Sequence, residues 1–426
     1  MSTKKYNVFV VGYDEFNVTL LKELPFSKNI NFLPALSYAD LKSSEDIPAL
    51  DLLERADTII RESEFEPDAI ITFWDFPATI IAAILTNRYG LAGPPVRSIF
   101  KCENKIWSRN EQRKVIVNHI PRYTGFSPHD EDAFAKLNLI PPFWIKPIKS
   151  FRSYLAFRIN SQSDFEKYRL EMKENVDGIY QPFCDLMKKS RIPGLISNSD
   201  DSCIAESVLS GHMCTLEGYV YDNEVISYGI VDSIREENSN SFNRYQYPTM
   251  LPTEIQYRMM DITRRTIEQI DLKDCCFNIE FFYNQTDEQI YLLEINPRTS
   301  QSHSDLFAKV HGHSQFQLLL EIALGERPKP LKREGEFNIA AKYMYRVFEP
   351  GVVKKVPTSA ELETICKKFP DTKIKIHVAE GDNLAELLFQ DAYSFEIADI
   401  YVGAKNELEM AKNYSQIVDL LGIVIE

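Results

Sequence analysis

The stretch CCFNIEFFYNQTDEQIYLLEINPR, residues 275–298, constrains this chain more than any other. Two β-rich runs flank a polar turn at 284–289, the pattern of an antiparallel hairpin. If the turn is symmetric about Asp287, Glu280 lies directly across from Glu294 and Asn278 from Asn296. One face then carries Phe277, Ile279, Phe281, Tyr283, Tyr291, Leu293 and Ile295 and is expected to meet the core. The other carries Asn278, Glu280, Glu294 and Asn296, with Phe282 and Leu292 nearer the turn. A slip of one residue would mix these faces. Two carboxylates about 5 Å apart, at an effective dielectric of about 20, repel by roughly 3 kcal/mol. Like charges across a ladder destabilise it, so a shared proton or a cation must compensate. With the amide oxygen of Asn296 on the same face, the donors are all oxygen, which suits hard Mg²⁺, or Mn²⁺ in its place. Arg298 continues that face and would aim a guanidinium at an anion held there. The plain alternative is an exposed hairpin with solvated acids. The abrupt Ile-Asn-Pro-Arg ending speaks for a site at a strand edge.

The rest of the chain divides by texture. Residues 1–100 alternate strands (7–11, 30–35, 69–73) with helical patterns (through Leu24, 50–64, 77–89), an order that implies a parallel sheet covered on both faces. The lead VVGYDEFN lacks G-x-G-x-x-G spacing, so no dinucleotide site is expected there. Residues 101–330 open with a polar helix over 102–115, then a strand ending FWIKP, a helix at 164–175, alternating strands, a long amphipathic helix at 254–270 and the hairpin. The tract RPKPLKREGE reads as a linker, and 331–426 as a mixed α/β cap.

The runs N-I-E-F-F and L-L-E-I-N-P-R resemble the metal-binding end of the ATP-grasp family. The resemblance implies an α/β and α+β multidomain protein. A Rossmann-like domain at 1–100 would precede a two-lobed ATP-grasp core at 101–330, its smaller lobe about 140–210, with the C-terminal domain at 331–426. It implies ATP as cosubstrate, Glu280, Glu294 and Asn296 as Mg²⁺ ligands, and Arg298 as the catalytic contact to the transferring phosphate. Lys105, opening a helix in Glu-Asn-Lys, and Lys146 in FWIKP are similar to the family's two nucleotide lysines. Glu206 in AESVL resembles the hinge acid at the adenine and ribose end, with Leu209 beside the base. From the residues alone, Lys146 needs an anionic partner because it follows the apolar run 143–145; a snorkelling edge lysine is the alternative. Two features depart from the family. The phosphate loop KPIKSFRSYLAF has no glycine, leaving Ser150, Arg152 and Ser153 as donors. The second acid after the hinge is missing, with His212 or Met213 in its place, and Glu217 is either a substitute or a strand residue facing solvent.

Family chemistry opens with attack of a carboxylate on the γ-phosphate. The acyl phosphate formed removes the charge that repels an amine and supplies a good leaving group. Biotin carboxylases resemble N-x-R-x-Q-V-E-H after the metal asparagine; here the run is Asn-Pro-Arg-Thr-Ser-Gln-Ser-His, with Ser302 at the base position. The expected activity is therefore that of a carboxylate–amine ligase acting on amino acids. Bicarbonate chemistry of the biotin-carboxylase or carbamoyl-phosphate kind, or non-catalytic nucleotide binding, are the rivals. Arg235 and Arg244 are candidates to grip a substrate carboxylate, and His303 to hydrogen-bond near the acyl phosphate. The spacing of His303, His311 and His313 fits no zinc site.

Charge and composition narrow the partners. Sixty-two acidic residues against 48 basic ones leave a net charge of −14, which disfavours nucleic acid and anionic lipid. No apolar run approaches the roughly 18 residues of a membrane span. The opening MSTKKYNVFVVGYD passes directly into a strand pattern, so no cleaved leader is expected. Seven cysteines without metal spacing are expected as free thiols in a reducing cytoplasm. A homodimer is the default expectation for assembly.

Overall fold

The computed structural model describes residues 5–42, 47–150, 154–191, 201–237, 239, 241–387 and 394–426. Strand β1 (Tyr6–Tyr13) pairs in parallel with β2 (Ile30–Ser37) on one side and β3 (Ala69–Ile71) on the other. Alternation along β1 feeds two layers. Phe9 and Val11 pack with the helices Ala49–Arg61 and Ala78–Arg88. Val8 and Val10 pack with Leu20 and Leu21 of the helix Glu15–Lys22. Phe316 and Leu320, from the much later helix Phe316–Ala323, complete that second layer, and the Phe316 ring lies 5.1 Å from Phe73.

The polar helix expected over 102–115 is two helices, Val96–Glu103 and Lys105–Ile116. Asn104 breaks them apart because its extended backbone lets its side chain cap the second helix, accepting from the Trp107 N–H. The Lys105 N–H, no longer needed by the first helix, donates to the Ile148 carbonyl at 2.9 Å. Lys105 thus starts a helix beside the phosphate-loop region.

A small antiparallel sheet has the order β4-β7-β5-β6, with β4 (Tyr123–Phe126), β5 (Phe143–Pro147), β6 (Phe157–Ile159) and β7 (Cys203–Ser207). Its apolar face carries Phe143 and Ile145 against Phe165 and Met172 of the helix Gln162–Asn175.

The larger sheet draws on β8 (His212–Tyr221), β9 (Glu224–Arg235), β10 (Phe242–Tyr247), β11 (Cys275–Asn284), β12 (Gln289–Asn296) and β13 (Ile339–Val347). After β14 (Val353–Lys355), which pairs elsewhere with β17 (Val424–Ile425), it adds β15 (Lys373–Ile376) and β16 (Phe395–Ala404). The order is β12-β11-β8-β9-β10-β13-β16-β15, antiparallel throughout. Strands from the last ninety residues therefore extend the sheet that carries the hairpin. The helix Thr253–Ile270 covers one face, with Met259 sulfur 3.7 Å from Cys214 sulfur. The helix Ser304–His311 covers part of the other, setting Leu306, Phe307 and Val310 against Val231, Tyr247, Ala340 and Tyr401.

The hairpin register matches expectation at its far end and departs from it nearer the turn. Asn278 faces Asn296, Ile279 faces Ile295 and Glu280 faces Glu294, but Phe281 then pairs with Leu292. Leu293 is the extra residue of a β-bulge. Beyond it the inward residues of β12 are Ile290 and Leu292, both fully buried, in place of the expected Tyr291 and Leu293. One inserted residue reverses the alternation, which is why a symmetric turn misplaced these side chains.

Phe307 is fully buried among Tyr228, Tyr247 and His311, with ring centroids 5.4, 4.2 and 5.7 Å away. Phe307→Ala is expected to cost about 3–5 kcal/mol. A urea-unfolding midpoint equal to that of the parent chain would contradict this packing.

Candidate active site

Directly paired residues share a sheet face, so the face carrying Glu280 can be followed strand by strand. Glu280 and Glu294 stand across from each other, and Glu280 pairs on its other side with Thr215. Asn278 pairs with Glu217, and Thr215 with Val231. Two residues on, Ser233 pairs with Tyr245, which pairs with Lys342. The two acids are thus one end of a polar stripe that runs toward the C-terminal strands.

The Asn296 amide NH₂ donates to Asn278 Oδ1 at 3.0 Å and approaches Glu280 Oε1 at 3.5 Å, so its oxygen is the atom Asn296 offers to a cation. Lys105 Nζ lies 2.9 Å from Glu294 Oε1 and 3.3 Å from the Ser150 carbonyl. Burial and then the facing Glu294 push the Glu280 carboxyl up to about 7. Burial acts in the same direction on Glu294, but the Lys105 ammonium, aided by Lys146 and Lys149, outweighs it and holds that carboxyl below its ordinary range. One acid of the pair is therefore charged while the other tends to keep its proton. The all-oxygen donor set and the facing pair of acids fit a hard divalent cation.

Among the described residues, four further basic groups stand around the acids, each with an acidic partner. Lys146 Nζ is 2.7 Å from Glu206 Oε2, and Arg109 Nε is 2.6 Å from Glu206 Oε1. Burial alone would raise Glu206, which is 4% exposed, but Arg109 and Lys146 hold it down to about 2. Lys149 bonds to Glu103, whose other oxygen accepts from Thr79 Oγ1 at 2.9 Å. Arg298 Nε donates to Asp75 Oδ1 at 2.6 Å, a residue of the loop that follows β3. Leu209 is half-buried in the connection from β7 to β8. Ser153 and Arg152 lie outside the described residues; Ser150 is described, and is buried.

The three substrate candidates part company. Arg235 lies on the face of Ser233, its guanidinium over the Phe242 ring and 3.7 Å from Met213 sulfur. His303 is buried on the same side, its Nδ1 2.7 Å from Glu217 Oε1 and its ring edge-on to Tyr245. Arg244 turns to the opposite face, bonding Gln246 at 2.9 Å beside the helix Glu407–Leu421, because its neighbour Tyr245 occupies the site side. Glu217, left open between substitute acid and solvent-facing residue, is 0% exposed and belongs to the site face. In place of the missing second acid, Met213 faces the site, while His212 points away to Asp232 at 2.8 Å.

Four groups escaped the reading of the residues: Asp75, Arg109, Lys149 and Tyr245. Arg109 carried a usable signal, since it follows Lys105 by four residues and so shares its helix face. Asp75 carried none, because only tertiary packing brings its loop to Arg298. Burial, followed by the charges of Glu280 and Glu396, pushes the Tyr245 phenol up, and its ladder pairing with Ser233 and Lys342 places it between the acid-pair face and the C-terminal strands.

Comparison with known proteins bears on the fold that carries this geometry. Residues 139–304 match the model of the ATP-grasp domain. Over its whole length the chain superposes on an L-amino acid ligase from Bacillus licheniformis with a TM-score of 0.74 at 16% identity, covering 100% of both chains. A biotin carboxylase from Campylobacter jejuni, as its beta-gamma-ATP complex, gives 0.65 at 13% identity, covering 98% of this chain and 92% of that one. The arginine-specific large chain of carbamoyl phosphate synthase from Lactiplantibacillus plantarum is 29% identical over 117 residues, 26% of this chain and 11% of that protein. The chain thus spans only about a tenth of the length of the curated relatives it matches. The domain match thus places an ATP-grasp domain at residues 139–304, and the superpositions show that the whole chain shares the fold of these solved structures. Among the described residues no helix is long and apolar enough to cross a membrane.

Because the folded chain keeps a proton on Glu280 that the unfolded chain releases near 4.5, cation-free stability should fall as pH rises from about 4.5 through about 7. Thermal melts in EDTA at pH 5 and pH 8 should show the drop, and Glu280→Gln should shrink it. An identical pH response in that variant would contradict the assignment.

Proposed function

We propose that this chain is an ADP-forming ligase that activates a carboxylate as an acyl phosphate and joins it to an amine, with amino acids as substrates. The observation that carries the reading is Glu280 facing Glu294 inside a ring of basic groups. Glu280, Glu294 and Asn296 would hold Mg²⁺ or Mn²⁺, which when bound screens the charge of the ATP phosphates. Lys105 and Lys146 would meet the phosphates from two sides, leaving Glu294 and Glu206 for the nucleotide as it enters. Leu209 would lie beside the adenine, and Glu206 at the hinge. Arg298 would neutralise the γ-phosphoryl group as the substrate carboxylate oxygen attacks phosphorus and ADP departs. The amine nitrogen then attacks the acyl carbon and inorganic phosphate leaves with the former carboxylate oxygen. Arg235 and His303 share the face beyond the acids and are the groups we assign to the substrate. The boundaries near residues 100 and 330 belong to the same proposal, with a nucleotide-binding core between an N-terminal α/β domain and a C-terminal domain.

The partial match to carbamoyl phosphate synthase favours one rival, in which bicarbonate is the carboxylate that is phosphorylated. Release of ADP that requires bicarbonate and no amine would select it. For the leading reading, Glu294→Gln should slow ADP formation at least about a hundredfold. The measurement is phosphate release with ATP, Mg²⁺ and pairs of amino acids, followed by mass spectrometry of the product. Turnover near that of the parent chain would overturn the proposal.

A further inference from the structure

Two registers meet in the hairpin. On the turn side Asn284 pairs with Gln289, Tyr283 with Ile290 and Phe281 with Leu292. Continued unbroken, that register would bring Glu294 opposite Ile279, on the core face. The acids face each other only because Leu293 absorbs one residue of difference. The apolar pattern alone does not fix where the extra residue sits, since Leu292 and Leu293 are interchangeable in hydrophobicity. A bulge also leaves backbone groups without ladder partners, and buried carbonyls need donors.

One guanidinium supplies them. Arg109 Nη1 donates to the Leu292 carbonyl at 3.2 Å and Nη2 to the Leu293 carbonyl at 2.7 Å. The same Nη1 donates to Gln112 Oε1 at 2.6 Å, while Nε holds Glu206. Arg109 is 3% exposed and Gln112 0%, so water does not compete for these bonds. One helical turn earlier, Lys105 reaches the carboxylate of Glu294 itself. The helix Lys105–Ile116 therefore reads β12 at two points, the bulge and the acid just past it.

We propose that Arg109 is a positioning residue whose forked guanidinium pins the bulge at Leu293 and so keeps Glu294 facing Glu280. The inference rests on reading that acid pair as the divalent-cation site. A role confined to pairing with Glu206 would be met equally by lysine, which keeps the charge. Fixing two successive carbonyls requires the planar fork, which lysine lacks.

The test titrates Mn²⁺ into the full-length chain in the presence of ADP, with free Mn²⁺ read by electron paramagnetic resonance. Arg109→Lys is expected to weaken Mn²⁺ binding by about tenfold or more, the usual loss when an outer support of a metal site is removed. Gln112→Met keeps the arginine but takes away an acceptor that orients it, and should weaken binding in the same direction by less. Ile267→Val, a core change in the helix Thr253–Ile270, controls for lost stability and should bind Mn²⁺ as the parent does. Amide hydrogen exchange over 290–296 should quicken in Arg109→Lys and stay unchanged in the control. Parent-like Mn²⁺ affinity in both Arg109→Lys and Gln112→Met, with binding lost in Glu294→Gln, overturns the inference and leaves the metal reading standing. Parent-like affinity in Glu294→Gln overturns the metal reading and this inference with it. Equal weakening in Ile267→Val would reduce Arg109 to a general stabiliser and also overturn it.

Discussion

Two glutamates confronting each other across a half-buried ladder set the terms for everything near them. Their repulsion is too large to leave unopposed, and the surrounding chain answers it with Lys105 at bonding distance and with Lys146 and Lys149 further off. Each of those bases is in turn tied to an acid, so none of these three charges is buried alone. The outcome is a site whose charges nearly balance without a ligand. Polyphosphate and its counter-cation can enter by exchanging partners, which avoids desolvating a bare cluster of one sign. Glu206 and Asp75 are the partners that hold Lys146 and Arg298 in place until then.

Sequence legibility followed chemistry more closely than geometry. The pairing of Glu280 with Glu294 and of Asn278 with Asn296 could be read because apolar and polar residues alternate cleanly there. The bulge could not, since Leu292 and Leu293 give the same hydrophobic signal in either register. The strands and helices of the first hundred residues were legible because each face of a covered sheet is apolar. The helix Lys105–Ile116 was legible as a polar helix over 102–115, but its break from the preceding helix and its burial were not, because the side chains it buries include Lys105, Ser108, Arg109 and Gln112. A polar helix reads as solvated whenever its partners are other polar groups. Arg244 and Tyr245 make the same point on one strand: arginine drew attention as a carboxylate grip, yet alternation gives the site to its neighbour.

The site face does not stop at the nucleotide region. Past Tyr245 it continues through Lys342, 2.8 Å from Asp399, which meets His377 Nε2 at 3.1 Å, and through Arg346, 2.7 Å from Glu396. Strands β13 and β16 carry Lys342, Arg346, Asp399 and Glu396, and His377 directly follows β15, so these C-terminal residues share a continuous hydrogen-bonded sheet with the acid pair. The ladder bonds hold the polar stripe as one surface.

The helix Phe316–Ala323 supplies part of the cover for the second side of the N-terminal sheet, and its place late in the chain has a consequence for synthesis. Val8, Val10, Ala69 and Ile71 emerge from the ribosome long before Phe316 and Leu320 do. At a translation rate of about 5–20 residues per second, the wait is on the order of 15–60 s. For that interval the nascent chain carries an incompletely covered β-surface, the kind of exposure that engages chaperones, and its second layer closes only once Phe316 and Leu320 have been made.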